Sequence, residues 1–202
     1  MFIRTLISGC YMLIAFTKVG TVAQLLFDGS TLEGWEIAEF SGHGNVYIDD
    51  SCIVIEKGKT CSGIRYLRNF PTIDYEVVLE AKRTDGSDFF CGLTFPVGEE
   101  FCTLIIGGWG GNVIGLSCID GFDAANNATG RMQMLSSNRW YRIRLKVGRD
   151  SIEAWLDKDK IIDFETDEHR LSLRWEVEPS KPFGLATWKT TGMIRNFNLK
   201  KY

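Results

Sequence analysis

Apolar and polar residues alternate with a period of two along much of the chain, as in strands that have one buried face. In the segment 75–82, Tyr75 and Val77 begin an apolar set that alternates with a set containing Glu76 and Glu80. Segment 140–147 repeats the pattern, and after a turn at 148–150 it resumes over 151–157. These two segments predict a hairpin, and a third strand over 160–165 follows the turn at 157–159.

Further apolar runs of strand length complete the set. They cover residues 52–56, 89–95, 101–106, 113–119, 183–188 and 193–199. About a dozen short strands without a convincing helical segment predict an all-β protein built as a sandwich of two antiparallel sheets, or jelly roll. Neither an internal repeat nor a linker is visible, so we expect one domain over residues 25–202.

The first 23 residues have a different pattern. Arg4 precedes an apolar stretch over residues 6–16, and small and polar residues follow up to Ala23. This order is typical of a secretory signal peptide. The segment 7–10 resembles a lipoprotein cleavage box, but too few residues precede Cys10, so lipidation is the weaker alternative. We expect a periplasmic or secreted protein with no membrane span in its mature chain.

Composition and charge narrow the classes of partner. The chain has 202 residues, of which 45% are hydrophobic and 24% charged, and its formal net charge is -3. No run of basic residues offers the cationic stripe that a phosphate backbone needs, so we expect no nucleic-acid partner. The composition does not determine the oligomeric state.

Five cysteines follow the predicted signal peptide, and their spacing contains no pair typical of a zinc site. Export would permit disulfides, and Cys52 with Cys61, or Cys91 with Cys102, could face each other across hairpins. Alternatively they are small buried hydrophobes, because Cys91 alternates in phase with apolar neighbours. Both interpretations stay open at this stage.

Two neighbouring loops carry candidate binding residues. The segment GGWGGN over 107–112 places Trp109 among four glycines, where a ligand could approach the backbone closely. The following loop contains Asp120 and Asp123, whose oxygens could hold Ca²⁺ or bind sugar hydroxyl groups. The alternative for this loop is a surface turn that uses Asp and Asn for their backbone preferences.

Carboxylates and aromatic residues extend the set of candidates, because acid-base chemistry on sugars usually uses carboxylates. Glu80 lies on the polar face of a predicted strand, and Asp88 follows the end of that strand. Trp155 shares the polar face of its strand, where it could cap the sheet or serve as a stacking platform.

Four segments resemble motifs of the 3-keto-disaccharide hydrolase family. LFDG with LEGW (26–29 and 32–35) resembles the opening "LF-N/D-G…L-x-GW" signature. The segment 73–83 resembles the family's "DFEL-x-x-E-(F/A)-R" strand, 139–164 resembles its tryptophan-containing hairpin, and 182–202 resembles its "(F/I)-RNI-x-(I/L)-(K/R)" ending. The resemblance spans the chain after the predicted signal peptide.

This resemblance implies a concanavalin-like jelly roll, export, and the cleavage of glycosides that carry a ketone at C3. Cleavage would proceed by elimination and hydration. With this implied chemistry, we expect Asp88 or Glu80 as the general base. We expect Arg65, Trp109, Trp188 and Asp120 to contact the sugar, and Asp120 with Asp123 to form a calcium site.

The chain departs from the family pattern at three places. Residues 86–91 replace an Asn-Ser-Gly motif, residues 101–106 lack an acidic residue, and Thr187-Trp188-Lys189 stands where a His is often found. Either the site is rebuilt around Asp88, Trp109, Asp120 and Asp123, or catalysis is lost. The second possibility predicts a lectin-like module that binds carbohydrate without cleaving it.

Overall fold

A computed structural model describes residues 23–202, so the predicted signal peptide, apart from its last residue, lies outside the described residues. The described part forms fifteen strands and one short 3₁₀ helix over Trp175–Ser180. The strands are β1 (Gln24–Leu25), β2 (Trp35–Ile37), β3 (Val46–Asp49), β4 (Cys52–Ile55), β5 (Cys61–Tyr66), β6 (Tyr75–Asp85), β7 (Cys91–Val97), β8 (Glu100–Gly108), β9 (Val113–Ser117), β10 (Arg131–Met132), β11 (Tyr141–Val147), β12 (Ser151–Leu156), β13 (Asp159–Glu165), β14 (Gly184–Trp188) and β15 (Thr191–Lys201).

The strands form two sheets in which all pairings are antiparallel. The first sheet has the order β13-β12-β11-β6-β15-β4-β3, with β1 paired to β15. The second sheet has the order β10-β9-β8-β7-β14-β5-β2. The prediction of an all-β sandwich of two antiparallel sheets is confirmed, as is the predicted succession of β11, β12 and β13.

The inner faces of the sheets pack against each other and form the main core. Tyr75 and Leu79 of β6 are fully buried on one side, and Leu104 and Ile106 of β8 are fully buried on the other. Each such side chain contributes about 1.5–3 kcal/mol through its removal from water. The hydroxyl of Tyr75 donates to the carbonyl of Pro96 at 2.7 Å, which ties the two sheets together inside the core.

The structure differs from the sequence-based prediction in two local features. The strand predicted over 101–106 continues to Gly108, so two glycines of the GGWGGN segment belong to β8. A register shift between Ile106 and Gly108 accommodates them. The 3₁₀ helix was not expected from the sequence, since it has only six residues and contains Pro179.

The five cysteines of the described part are buried free thiols. Cys52 and Cys61 belong to different sheets. Cys91 and Cys102 lie on adjacent strands but out of register, because Cys91 faces Ile106 across the ladder. The interpretation as small buried hydrophobes therefore holds, and neither predicted disulfide is present.

The outer face of the second sheet is partly covered, and this cover shapes the site. Residues of β8 alternate, so Leu104 lies in the main core while Ile105 belongs to a second apolar cluster on the outer face. The 3₁₀ helix lies on this face through Val177, and it approaches β14 at Gly184. A Cβ at Gly184 would lie 2.6 Å from the carbonyl oxygen of Ser180, so the glycine permits this contact.

Within residues 23–202, no helix has the length and apolar character required to cross a bilayer.

Candidate functional site

A cavity of about 220 Å³ opens on the outer face of the second sheet, beside the 3₁₀ helix. Its walls combine aromatic, apolar and charged side chains. They are Asp88, Phe89, Thr103, Ile105, Trp109, Ser117, Arg174, Glu176, Val177 and Trp188. The volume is below the roughly 300–1,000 Å³ of pockets for drug-sized ligands, so the cavity is suited to one small ring.

The floor of the cavity is rigid because it rests on the central strands. The hydroxyl groups of Thr103 in β8 and Thr94 in β7 form a hydrogen bond, with 3.0 Å between the two oxygens. Ile105 and Phe89 pack in the outer apolar cluster together with Cys61. Burial raises the pKa of the Cys61 thiol to about 12, so this thiol stays protonated at neutral pH and is not a nucleophile.

Trp109 forms part of the cavity wall from the tip of the turn between β8 and β9. Its side chain is 40% exposed. Its φ of 48° lies in the left-handed region, as do those of Gly107, Gly110 and Gly111. This conformation disfavours residues with a Cβ by roughly 1–2 kcal/mol. The turn geometry therefore favours glycine at position 109. The presence of tryptophan there is explained by the contacts of its indole and not by the turn.

Asp88 lines the cavity beside Phe89 and is held by the backbone. One carboxylate oxygen accepts the N–H of Phe89 at 2.8 Å, and the other accepts the N–H of Gly110 at 3.1 Å. The backbone N–H of Asp88 donates to the hydroxyl of Thr190 at 3.0 Å. The carboxylate thus fixes the Trp109 turn against the start of β7, and as a residue of the cavity wall it retains unused acceptor capacity.

Buried Arg83 connects the segments around this wall. Its guanidinium donates to the carbonyl oxygens of Asp88 and Gly111 at 3.4 Å each and to that of Leu135 at 2.7 Å. A guanidinium that bonds three separate segments fixes their relative positions, because each bond to a charged donor is worth about 1.5–3 kcal/mol.

The part of the cavity wall at the start of the 3₁₀ helix carries an ion network. Arg174 donates to both carboxylate oxygens of Glu176, at 3.1 and 2.6 Å, and to a carboxylate oxygen of Asp123 at 2.8 Å. Both acids are largely covered, with side chains 14% and 16% exposed, whereas the arginine side chain is 42% exposed. The network therefore orients a half-exposed guanidinium toward the cavity.

The protonation states within this network follow from its contacts. Partial burial is the largest single influence on the pKa of Glu176 and acts to raise it, but the hydrogen bonds and charge of Arg174, together with a backbone hydrogen bond, leave that pKa below its ordinary value. The same pairing raises the pKa of Arg174. Arginine has five N–H groups, and the bonds to Glu176 and Asp123 engage three of them. Two donors are thus left for an oxygen atom of a ligand.

Three of the residues predicted from the sequence meet at the cavity: Asp88, Trp109 and Trp188. Glu80 does not. It lies on the outer face of the first sheet, where its carboxylate accepts a hydrogen bond from Arg195 at 2.7 Å.

Arg65 lies on the outer face of the second sheet but outside the cavity. It pairs with Glu36 and lines a separate groove of about 440 Å³ that also includes Phe101 and Lys181. No residue of this groove also lines the cavity.

Asp120 does not line the cavity either. It accepts the N–H of Arg170 at 2.9 Å and pairs with His169 at 2.7 Å, and the bonds lower its pKa. Asp123 accepts from the backbone of Ala125 and from Asn126 in addition to Arg174.

The donor set of this loop does not fit calcium, because each of the two carboxylates is already engaged by protein donors. Among residues 23–202, no three His, Cys, Asp or Glu side chains are grouped so that they could hold a metal ion.

Trp155, the other aromatic candidate, lies beneath the guanidinium of Arg144, which is 3.5 Å from the ring centroid. One face of the ring is therefore covered.

Arg174 and Glu176 were not predicted. The only sequence signal at this place is RWE, an aromatic residue between opposite charges, which occurs in many surface segments. Their role depends on the path of the chain from β13 in the first sheet to β14 in the second, which places this segment over the outer face.

Two antiparallel sheets with an open cavity on the outer face of one of them define a jelly-roll β-sandwich protein. Residues 22–200 match the model of the 3-keto-alpha-glucoside-1,2-lyase-like domain, so the chain belongs to this family. The resemblance found in the sequence is thereby confirmed. No curated protein matches the chain.

Solved structures share the fold at low sequence identity. Carbohydrate binding module CBM66 from Bacillus subtilis has a TM-score of 0.58 at 15% identity, with 83% of this chain and 96% of that chain covered. A candidate glycosyl hydrolase from Parabacteroides distasonis has a TM-score of 0.57 at 16% identity, with 89% and 94% covered. A beta-1,3-glucanase from Mycobacterium marinum has a TM-score of 0.54 at 12% identity, with 92% of this chain and 100% of that chain covered. At these identities the comparisons show the fold.

Proposed function

We propose that this protein is an exported carbohydrate-active enzyme that cleaves 3-keto-glycosides in the cavity beside the 3₁₀ helix. The observation that carries the proposal is that Asp88, Arg174, Trp109 and Trp188 all line the walls of one cavity. Membership of the 3-keto-alpha-glucoside-1,2-lyase-like family supports the choice of substrate. The sequence pattern of residues 1–23 supports export.

The reaction consists of an elimination and a hydration. A ketone at C3 acidifies the proton on C2, so a base can remove it while negative charge develops on the ketone oxygen. The C1–O bond then breaks, and the leaving oxygen takes a proton. Water adds to C1 of the resulting enone and restores the proton at C2, which yields the free 3-keto-sugar.

Two carboxylates line the cavity, Asp88 and Glu176. Asp88 is the proposed base, because backbone N–H groups hold it in place while both oxygens of Glu176 are engaged by Arg174. Arg174 is the proposed partner of the developing oxyanion, since its two remaining N–H groups supply charge-assisted hydrogen bonds. Glu176 and Asp123 hold the guanidinium in one orientation, so little reorganisation is needed when charge develops.

Deuterium exchange tests the first step separately from cleavage. The purified protein is incubated in D₂O with methyl 3-keto-glucoside, and NMR follows both exchange at C2 and release of methanol. We expect both in the wild type, a loss of at least about a hundredfold in D88N, and a smaller loss in R174K. Glu80→Gln is the matched control, because it changes a carboxylate of the other sheet. Unchanged exchange in D88N would remove Asp88 from the role of base.

A second function, carbohydrate binding without cleavage, is favoured by one observation. Both oxygens of Asp88 accept backbone N–H groups, which is also what a purely structural carboxylate would do. In the same experiment, line broadening or saturation transfer to the sugar without exchange at C2 would support this function over the first.

A further inference from the structure

The outer face of the second sheet continues past the cavity to the edge strand β10. Met132 pairs with Val113 across the ladder, and Val113 belongs to the outer apolar cluster that also contains Ile105 of the cavity floor. Residues directly opposite each other on antiparallel strands share a face. Met132 therefore extends the apolar surface of the cavity toward the edge of the sheet.

The segment that follows Met132 runs beside the turn that carries Trp109. The N–H of Gln133 donates to the carbonyl of Asn112 at 2.8 Å. Further along, Arg83 bonds the carbonyl of Leu135 as well as that of Gly111, so the two segments are held together. The position of this segment relative to Trp109 is thus fixed by the backbone.

The methionines of this segment are unusually open to solvent. Met132 is 72% exposed and Met134 is 85% exposed, while Trp109 is 40% exposed. Exposed apolar side chains that adjoin a binding cavity typically mark a surface that a ligand covers. The cavity accommodates a single ring, so whatever is attached to that ring lies outside it.

We propose that Trp109, Met132 and Met134 form an apolar shelf that binds the group leaving from the sugar, and that this group is apolar. A second sugar would require hydrogen-bonding partners, whereas methionine sulfur is only a weak acceptor. Methionine is flexible and polarizable, so the shelf can adapt to leaving groups of different shapes. This inference rests on the proposed function for the position of the sugar ring.

Affinity for plain glucosides tests the shelf without requiring turnover. Calorimetry compares methyl glucoside with hexyl glucoside on the wild-type protein. We expect hexyl glucoside to bind about tenfold more tightly, the effect of burying roughly two methylene groups. The double variant M132S/M134S should bind both glucosides with the weaker affinity, and it should fold because both side chains are exposed.

Leu67→Ser provides the matched control, since Leu67 is 58% exposed and lines the separate groove. It should retain the preference for hexyl glucoside. Equal affinities in the wild type, no binding of either glucoside, or an unchanged preference in M132S/M134S would each overturn the shelf. Conversion of a dimer to a monomer by M132S/M134S without any change in affinity would assign the methionines to a contact between copies, and would also overturn it.

The two proposals fail separately. A preference for hexyl glucoside without C2 exchange on methyl 3-keto-glucoside would retain the shelf and reject the proposed chemistry. Exchange and cleavage without a preference for hexyl glucoside would retain the proposed chemistry and reject the shelf.

Discussion

Substitution of Trp109 by alanine and by glycine separates the stability of the turn from the function of the indole. At an ordinary position, glycine is less stable than alanine by roughly 0.5–1 kcal/mol. At position 109, φ is 48°, so the order should reverse. W109G should therefore be more stable than W109A by about 1 kcal/mol.

The absolute loss follows from the exposure of the indole. Truncation of a fully buried large aromatic costs about 3–5 kcal/mol. Since the side chain of Trp109 is 40% exposed, the loss in W109A should be about 2 kcal/mol, and that in W109G about 1 kcal/mol. For a domain of this size, each kcal/mol lowers the Tm by about 2–4 °C.

Binding should respond differently from stability. Both variants lack the ring, so both should bind methyl glucoside, which has no C3 ketone and is not turned over, at least about tenfold more weakly, equivalent to about 1.4 kcal/mol. Chemical denaturation gives the stabilities and calorimetry gives the affinities. W109A more stable than W109G would refute the left-handed turn. A loss above about 4 kcal/mol in W109A, with unchanged affinity, would show that the indole is a lid on the apolar cluster.

Three further predictions follow from the contacts around the site. Gly184→Ala should lower the free energy of unfolding by about 2–3 kcal/mol in denaturant melts, because its Cβ would meet the carbonyl of Ser180 at 2.6 Å. Glu176 has a lowered pKa in the folded protein, so its ionised form stabilises the fold above the unfolded-state pKa of 4.5, and this stabilisation is lost as the pH falls below that value. The free energy of unfolding of the wild type should therefore decrease more than that of E176Q between pH 5 and about pH 3. Melting temperatures in calcium and in EDTA should agree, since Asp120 is engaged by His169 and the backbone of Arg170, and a rise of several degrees in calcium would contradict this.

Much of the fold could be predicted because strands such as β6 and β11 have one buried face, while strands such as β7 and β9 are buried on both faces and read as apolar runs. The alternation in β6 and β11 assigned the inward residues correctly, since a slip of one residue would place Val77 or Ile143 in water. The short strands β1, β2, β3 and β10 were missed because two to four residues are too few to display a period, and β5 was missed because Ser62, Gly63 and Arg65 interrupt its apolar residues.

The site could be predicted only in part. Asp88 and Trp109 belong to a loop and a turn whose composition interrupts the strand pattern, and this made them visible in the sequence. Glu80 was correctly placed on an outer face, but alternation cannot tell which of the two outer faces carries a cavity. Arg174 and Glu176 reach the cavity because the chain crosses from one sheet to the other at this point, and the local sequence pattern does not encode that crossing.

The two outer faces differ in whether their tryptophan rings are free to bind a ligand. On the first sheet, Arg195 lies 4.1 Å from the ring centroid of Trp140, and Arg144 lies 3.5 Å from that of Trp155. A guanidinium stacked on a ring occupies the face that a sugar would use. Among residues 23–202, no cation is stacked on Trp109. The cation-covered tryptophans thus stabilise the first sheet, whereas the ring of Trp109 in the cavity wall is left open for recognition.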